Sequence, residues 1–161
     1  DITVSVCVQT YNHVSFIHRC IDSILSQECD FRFEIILGED ESQDGTRESC
    51  IRLAQEHDEI VLFLRDRKDV IMIDGRPSGR FNLIENLSAA RGEFIALLEG
   101  DDYWSDPKKL QTQDDYLRAR QDYFAVTSDT YYVKGRVLEH TYMETKRPWL
   151  NLNEEENDEA S

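Results

Sequence analysis

Basic residues are scarce in this sequence relative to acidic ones. Lys and Arg number 18 against 33 Asp and Glu, a formal net charge of −15. A surface that negative repels phosphate backbones and anionic headgroups, which argues against nucleic acid as a partner. An acidic protein that handles an anionic ligand needs a metal cation or a few placed Arg and Lys. Cysteine is sparse as well. Cys7, Cys20, Cys29 and Cys50 form no C-x-x-C pair, which argues against a zinc site. Cys7 falls in an apolar strand pattern and Cys20 on an apolar helix face, so both read as small buried hydrophobes of a reduced, cytosolic protein. No apolar run approaches the length that spans a bilayer, and no signal peptide is evident, so no integral membrane segment is expected. The glycines of G-x-G-x-x-G and G-x-x-x-x-G-K-[ST] are missing too, which removes most support for a dinucleotide-binding or P-loop reading.

What is present alternates between strand and helix. The 161 residues suit one domain of ordinary size. Thr3–Gln9 is β-branched and apolar, a strand. Phe16, Ile17, Cys20, Ile21, Ile24 and Leu25 recur at helical spacing. Phe33–Leu37 is a second strand, Ile51, Leu53 and Ala54 lie on a second helix, and Ile60–Leu64 is a third strand. Residues 65–80 read as a long loop with a short strand at Val70–Ile73; loops of that length are usually functional or mobile. A helix through residues 81–91 and a strand through 93–99 follow. Asp106 caps a helix opened by Pro107. Phe124–Lys134 and Val137–Tyr142 can form a hairpin. Residues 1–150 make the expected domain, and 151–161 an acidic tail expected to be disordered. The near-continuous apolar strands predict an α/β fold, a mostly parallel central sheet covered on both faces.

In such sheets ligands bind beyond the carboxyl ends of the strands. Three polar stretches fall there: Gln9-Thr10-Tyr11-Asn12-His13, residues 38–46 (GEDESQDGT), and Glu99-Gly100-Asp101-Asp102-Tyr103-Trp104. Taken alone, Asp101-Asp102 is more often a turn than a site. Two carboxylates there also suit Mg²⁺ or Mn²⁺, which prefer oxygen ligands and leave positions for phosphate and water. Such a cation bridges an acidic site and an anionic diphosphate. In the second stretch Asp44 is a helix cap, and Ser42 and Gln43 close turns. Asp40, just beyond the strand, can accept a hydrogen bond from a nucleobase N–H. Tyr11 can stack on a base or simply pack over the sheet end. Glu99 has no evident role.

Together the three stretches resemble family 2 glycosyltransferases of the GT-A fold, from about Val4 to Tyr123. VSVCVQTYN resembles the family's opening strand and loop. FEIILGEDESQDGT resembles its strand, acidic pair and S-x-D-G-T. ARGEFIALLEGDDYWSDPKKLQTQ resembles the segment leading to its metal-binding aspartates. Gln9 stands where the family usually has proline, Glu39 where it often has aspartate, and the usual Ala-Arg-Asn is offset from Arg80, Phe81 and Asn82. The resemblance implies a Rossmann-like three-layer α/β/α fold. It implies that Gln9, Thr10 and Tyr11 line a nucleotide pocket, Asp40 contacts the base (commonly uracil), and Arg80 contacts base or phosphate. Asp101 would contact the ribose and Asp102 would bind the divalent metal. The implied activity is transfer of a sugar from a nucleoside-diphosphate donor, a UDP-sugar above all, to a saccharide or lipid-linked saccharide hydroxyl. A role in surface polysaccharide synthesis fits, in the cytoplasm or peripherally at the inner membrane face. No catalytic base is assigned; Asp129 and Glu139 are carboxylates in the right part of the chain. The alternative is a nucleotide-sugar-binding module that lacks the acceptor half.

Overall fold

A computed structural model describes residues 1–134 and 137–141, with side chains up to Tyr131. Residues Asp1–Asp115 form one compact unit, and the chain from Tyr116 onward forms a second. The first unit holds β1 (Val4–Thr10), α1 (Ile17–Leu25), β2 (Phe33–Glu39), α2 (Thr46–Glu56), β3 (Ile60–Leu64), β4 (Ile71–Ile73), β5 (Arg76–Ser78), α3 (Arg80–Ala89) and β6 (Phe94–Glu99), and it ends within α4 (Lys109–Ala119). Four strands make a parallel sheet in the order β3-β2-β1-β6. This is the expected α/β architecture. The second unit contains an antiparallel pair, β7 (Tyr131–Lys134) with β8 (Val137–Thr141); the expected hairpin is present, but its first strand starts at Tyr131 and not at Phe124. The tail 151–161 lies outside the described residues.

Pairing sets the faces. Val4, Val6 and Val8 on β1 lie opposite Phe33, Ile35 and Leu37 on β2 and opposite Phe94, Ala96 and Leu98 on β6. Strand alternation puts all of them on one side of the sheet. That side packs against Ile17, Cys20, Ile21 and Ile24 of α1, Cys50 and Leu53 of α2, and Leu110 of α4. Each fully buried aliphatic side chain here contributes about 1.5–3 kcal/mol, so this layer holds the unit together.

The other side is built differently. It presents Ser5, Cys7 and Gln9 from β1 and Glu34, Ile36 and Gly38 from β2. It is covered by α3, whose buried residues are Asn82 and Asn86. Asn82 Nδ2 donates to Gly38 O at 2.8 Å and Asn86 Nδ2 to Val8 O at 2.9 Å. Arg65, just past β3, donates from Nε to Asn82 Oδ1 at 2.8 Å and from Nη2 to Asn86 Oδ1 at 2.7 Å. Gly38 permits the close approach, because a Cβ there would stand 1.9 Å from Asn82 Oδ1. The usual amphipathic logic is inverted: α3 buries amides and leaves Ile84 half exposed.

Some expectations need correction. The strand through 93–99 was expected to be buried on both faces; among the described residues β6 is a sheet edge and leaves Ile95 and Leu97 about half exposed. Within residues 65–80 the expected short strand is present as β4, and more of the segment is regular than expected. A 3₁₀ turn at Arg67–Asp69 leads into the β4–β5 hairpin, turned by Asp74 at φ 50° and Gly75 at φ 73°. That Asp-Gly pair after Ile-Met-Ile is a standard hairpin signal. Helix starts also shift. The cap position of α2 is Gly45, with Asp44 just before it accepting from Thr46 N at 3.0 Å. Helix α4 begins at Lys109, and Asp106 Oδ1 accepts from Lys108 N at 2.9 Å.

Candidate nucleotide-sugar site

The three polar stretches meet. They leave the adjacent strands β2, β1 and β6 at the same sheet edge. Backbone pairing carries on past the strands: Asp40 N donates to Thr10 O at 3.1 Å and Gly100 N to Gln9 O at 2.9 Å. Side chains then stitch the first loop to the second. Asn12, at φ 55°, donates from its N–H to Ser42 Oγ at 2.9 Å and accepts at Oδ1 from Gln43 N at 3.0 Å. His13 N donates to Thr46 Oγ1 at 2.8 Å, and Val14 N to Asp44 Oδ2 at 3.1 Å. Ser42, Gln43 and Asp44 are therefore structural, as expected, but they act between loops and not only within their own turn.

The acidic pair after β2 splits. Glu39 is fully buried, ion-paired to Arg47 and accepting from Ser42 N at 2.6 Å. Asp40 is 4% exposed and accepts from Arg67 Nη1 at 2.8 Å. Burial pushes its carboxyl up, Arg67 opposes that, and Glu39 adds to it. The same Arg67 guanidinium lies over the Tyr11 ring, 3.9 Å from its centroid. Arg67 thus joins the two residues expected to hold a base. Arg80 heads α3 and is exposed. Sequence reasoning missed Arg67 because the loop after β3 carries no motif. The one available signal was its position just beyond the carboxyl end of a third strand.

The Asp101–Asp102 pair sits on the far side of β1. Asp102 N donates to Glu99 O at 3.0 Å, closing a turn across Gly100. The Asp101 side chain is 51% exposed and stands 3.9 Å from His13 Nε2. Burial pushes the Asp102 carboxyl up, Asp101 adds to this, and His13 opposes it. Glu99, opposite Gln9 in the sheet, accepts a hydrogen bond from Gln9 Nε2. Its carboxyl is also pushed up, first by burial and, among charges, by Asp101 and Asp102. Two carboxylates that resist ionisation, Glu99 and Asp102, with the Asp101 carboxylate beside them, form a site short of positive charge. Oxygen donors of this kind fit Mg²⁺ or Mn²⁺. Among the described residues no group of three or more His, Cys, Asp and Glu forms a ready-made metal cage. A cation here would be shared with oxygens of its ligand.

Elsewhere, a depression of about 360 Å³ at the opposite sheet edge is lined by Phe31, Arg32, Glu34 and Arg91 among others. Its buried charge, Glu34, is already paired with Arg91 and accepts from Ser5 Oγ at 2.7 Å. It reads as structural. Of the two carboxylates considered for the base, Asp129 is exposed and accepts from Thr130 N at 2.8 Å, and Glu139 lies on β8. No helix among the described residues is long and apolar enough to cross a membrane.

A sequence model of the family described as "Glycosyl transferase family 2" matches residues 5–160. The chain belongs to glycosyltransferase family 2. An uncharacterized glycosyltransferase of Methanocaldococcus jannaschii is 30% identical, over 84% of this chain and 44% of its own length. Among solved structures, S. aureus TarS in complex with UDP superposes with a TM-score of 0.58 at 21% identity, covering 74% of this chain and 33% of that one. A mannosyltransferase from Pyrobaculum calidifontis, in complex with GDP-Man and Mn²⁺, gives a TM-score of 0.57 at 26% identity, covering 71% and 32%. The family 2 chain described here spans less than half the length of the curated relatives it matches, 31% in one case and 44% in another. Its sheet, helices and loop-bearing edge are those of the GT-A fold.

Proposed function

We propose that the first unit binds the nucleoside-diphosphate part of a sugar donor, and that the protein transfers the sugar to an acceptor hydroxyl. The observation that carries this is the convergence, at one sheet edge, of an aromatic face with an Arg–Asp pair on one side and a carboxylate-rich turn on the other. The base end is Tyr11, Asp40 and Arg67. Asp40 accepts a ring N–H, Arg67 donates to an adjoining carbonyl, and Tyr11 supplies a stacking face. Uracil presents that N–H between two carbonyls, so UDP is the nucleotide this edge suits. Gln9 and Thr10 form the floor beside Tyr11. Arg80, at the start of α3, is left for the phosphates or the outer rim of the base.

Asp101 would reach the ribose hydroxyls, and Asp102 would hold a divalent cation. When bound, that cation offsets the charge that builds on the leaving diphosphate. The protein's own share is to seat the base, fix the ribose and hold the carboxylates in one turn. The acceptor, a saccharide or lipid-linked saccharide, and the general base that deprotonates it belong to the transfer reaction as a whole. The binding-only alternative shares the same donor site, so turnover separates the two readings and binding does not.

Calorimetry with UDP, with and without Mn²⁺, tests the site. Unmutated protein should bind UDP in a metal-dependent way and in preference to GDP and CDP. Asp102→Asn should remove the metal-dependent part and leave thermal unfolding nearly unchanged. Unchanged affinity for UDP with Mn²⁺ in that variant would refute the metal assignment. Equal binding of UDP, GDP and CDP would refute the uracil assignment.

A further inference from the structure

His13 has no part in the site as just described, yet it lies between two of its loops. Thr10 Oγ1 and His13 Nδ1 are 3.2 Å apart, and His13 Nε2 faces Asp101 Oδ2 at 3.9 Å. The backbone of His13 is fixed as well, through its N–H to Thr46 Oγ1 at 2.8 Å. Thr10 is 2% exposed. A hydroxyl so buried needs an acceptor for its hydrogen, because an unpaired buried donor loses its hydration without return. Donating to Nδ1 satisfies it and leaves the imidazole proton on Nε2, the nitrogen turned toward Asp101. The same two side chains press on the turn that carries the carboxylates. A Cβ on Gly100 would stand 2.6 Å from Thr10 Oγ1 and 2.9 Å from His13 Nδ1. Glycine at 100 is what lets the pair lie against the turn.

We propose that Thr10 and His13 form a positioning relay, Thr10 O–H to His13 Nδ1 and His13 Nε2–H to Asp101, that aims the Asp101 carboxylate at the donor's ribose. The inference rests on the reading of Asp101 as the ribose contact. His13 is a positioning residue: it acts through Asp101 and does not itself touch the nucleotide. The 3.9 Å gap is wider than a hydrogen bond. Ribose held against Asp101 draws the carboxylate into line, and the relay supplies its second hydrogen-bond partner.

The test compares UDP with 2′,3′-dideoxy-UDP by calorimetry in the presence of Mn²⁺, using the 161-residue chain. Unmutated protein should prefer UDP. His13→Ala should weaken UDP binding by about tenfold, the worth of one hydrogen bond to a charged group, and leave the dideoxy nucleotide unchanged. His13→Gln, which keeps an N–H donor near the Nε2 position, should retain part of the preference. Thr10→Val, which keeps shape and loses the O–H, should lower the ratio of UDP to dideoxy-nucleotide affinity as His13→Ala does. A variant that weakens both nucleotides equally has lost structure and not aim, and that result overturns the relay. So does a His13→Ala protein that keeps full preference for UDP. Asp101→Asn separates the underlying reading. If it leaves the preference intact, Asp101 is not the ribose contact, and both the reading and the relay fall. If Asp101→Asn removes the preference and His13→Ala does not, only the relay falls.

Discussion

Replacing Asn86 by alanine should destabilise the first unit more than trimming any half-exposed apolar residue of the same helix. Asn86 is fully buried, donating to Val8 O at 2.9 Å and accepting from Arg65 Nη2 at 2.7 Å. The Arg65 side chain is itself only 10% exposed, so water is poorly placed to replace the lost amide. One hydrogen bond to a charged group, ~1.5–3 kcal/mol, and one neutral bond, ~0.5–1.5 kcal/mol, give a cost of about 2–4 kcal/mol. In urea, with a slope of ~2 kcal/mol/M, the midpoint should fall by about 1–2 M. Ile84 makes the contrast. It is 50% exposed, and Ile84→Ala, which also gains helix propensity, should cost under about 1 kcal/mol. Urea titration followed by circular dichroism reads both. If Ile84→Ala costs as much as Asn86→Ala, or if Asn86→Ala costs less than about 1 kcal/mol, α3 is docked by apolar contact and the amide-clamp reasoning is wrong.

Two other predictions concern ionisation. Burial pushes the Glu34 carboxyl up, but hydrogen bonds from Arg91 and Ser5 outweigh it, so its pKa in the folded chain lies below the ordinary value. The stability this contributes is present above the unfolded pKa and lost as pH falls through the folded one. Arg91→Ala should therefore move the acid-unfolding midpoint to higher pH, read by circular dichroism; an unchanged midpoint would remove Glu34 from the acid limit. Burial pushes the thiols of Cys7, Cys20 and Cys50 up to about 11, 12 and 12, whereas Cys29 is only partly buried. Because the thiolate is the reactive form, iodoacetamide at pH 8 should label Cys29 first and the other three only on unfolding. Mass spectrometry of peptides assigns the sites, and early labelling of Cys20 would contradict the packing of α1.

The sheet and its loop-bearing edge were legible because they rest on regular signals. Apolar runs gave the strands, and three polar stretches directly after strands gave the edge. What was not legible depended on which side of an element faces what. Asn82 and Asn86 lie in a helix that also carries Leu83, Ile84 and Leu87, and hydrophobic periodicity assigns the aliphatic face to the core. Only the polar character of the sheet beneath, Ser5, Gln9, Glu34 and Gly38, makes the amides the better partners. That character becomes visible once the register is known. Arg67 was hidden for a related reason. It sits in a 3₁₀ turn whose path back toward β2 is set by Arg67 N donating to Glu41 Oε2 at 2.9 Å, a contact between segments distant in sequence.

Adjacent acids show how far sequence can go at this edge. Glu39 ends β2 and Asp40 follows it, and both are buried, yet one is paired with Arg47 and the other with Arg67. Strand alternation alone explains the split. Glu39 is in register with Thr10 on β1 and Leu64 on β3, the face that bears Val8 and Leu37, and there it meets α2. The next residue turns the other way, toward the loop after β3. Parity also bears on Glu99, which is in register with Gln9 on the α3 side. Glu99 is therefore tied to Gln9, whereas Asp101 and Asp102 lie beyond the Gly100 turn. An acidic residue at such an edge is read better from its parity relative to the last core residue than from the motif that contains it.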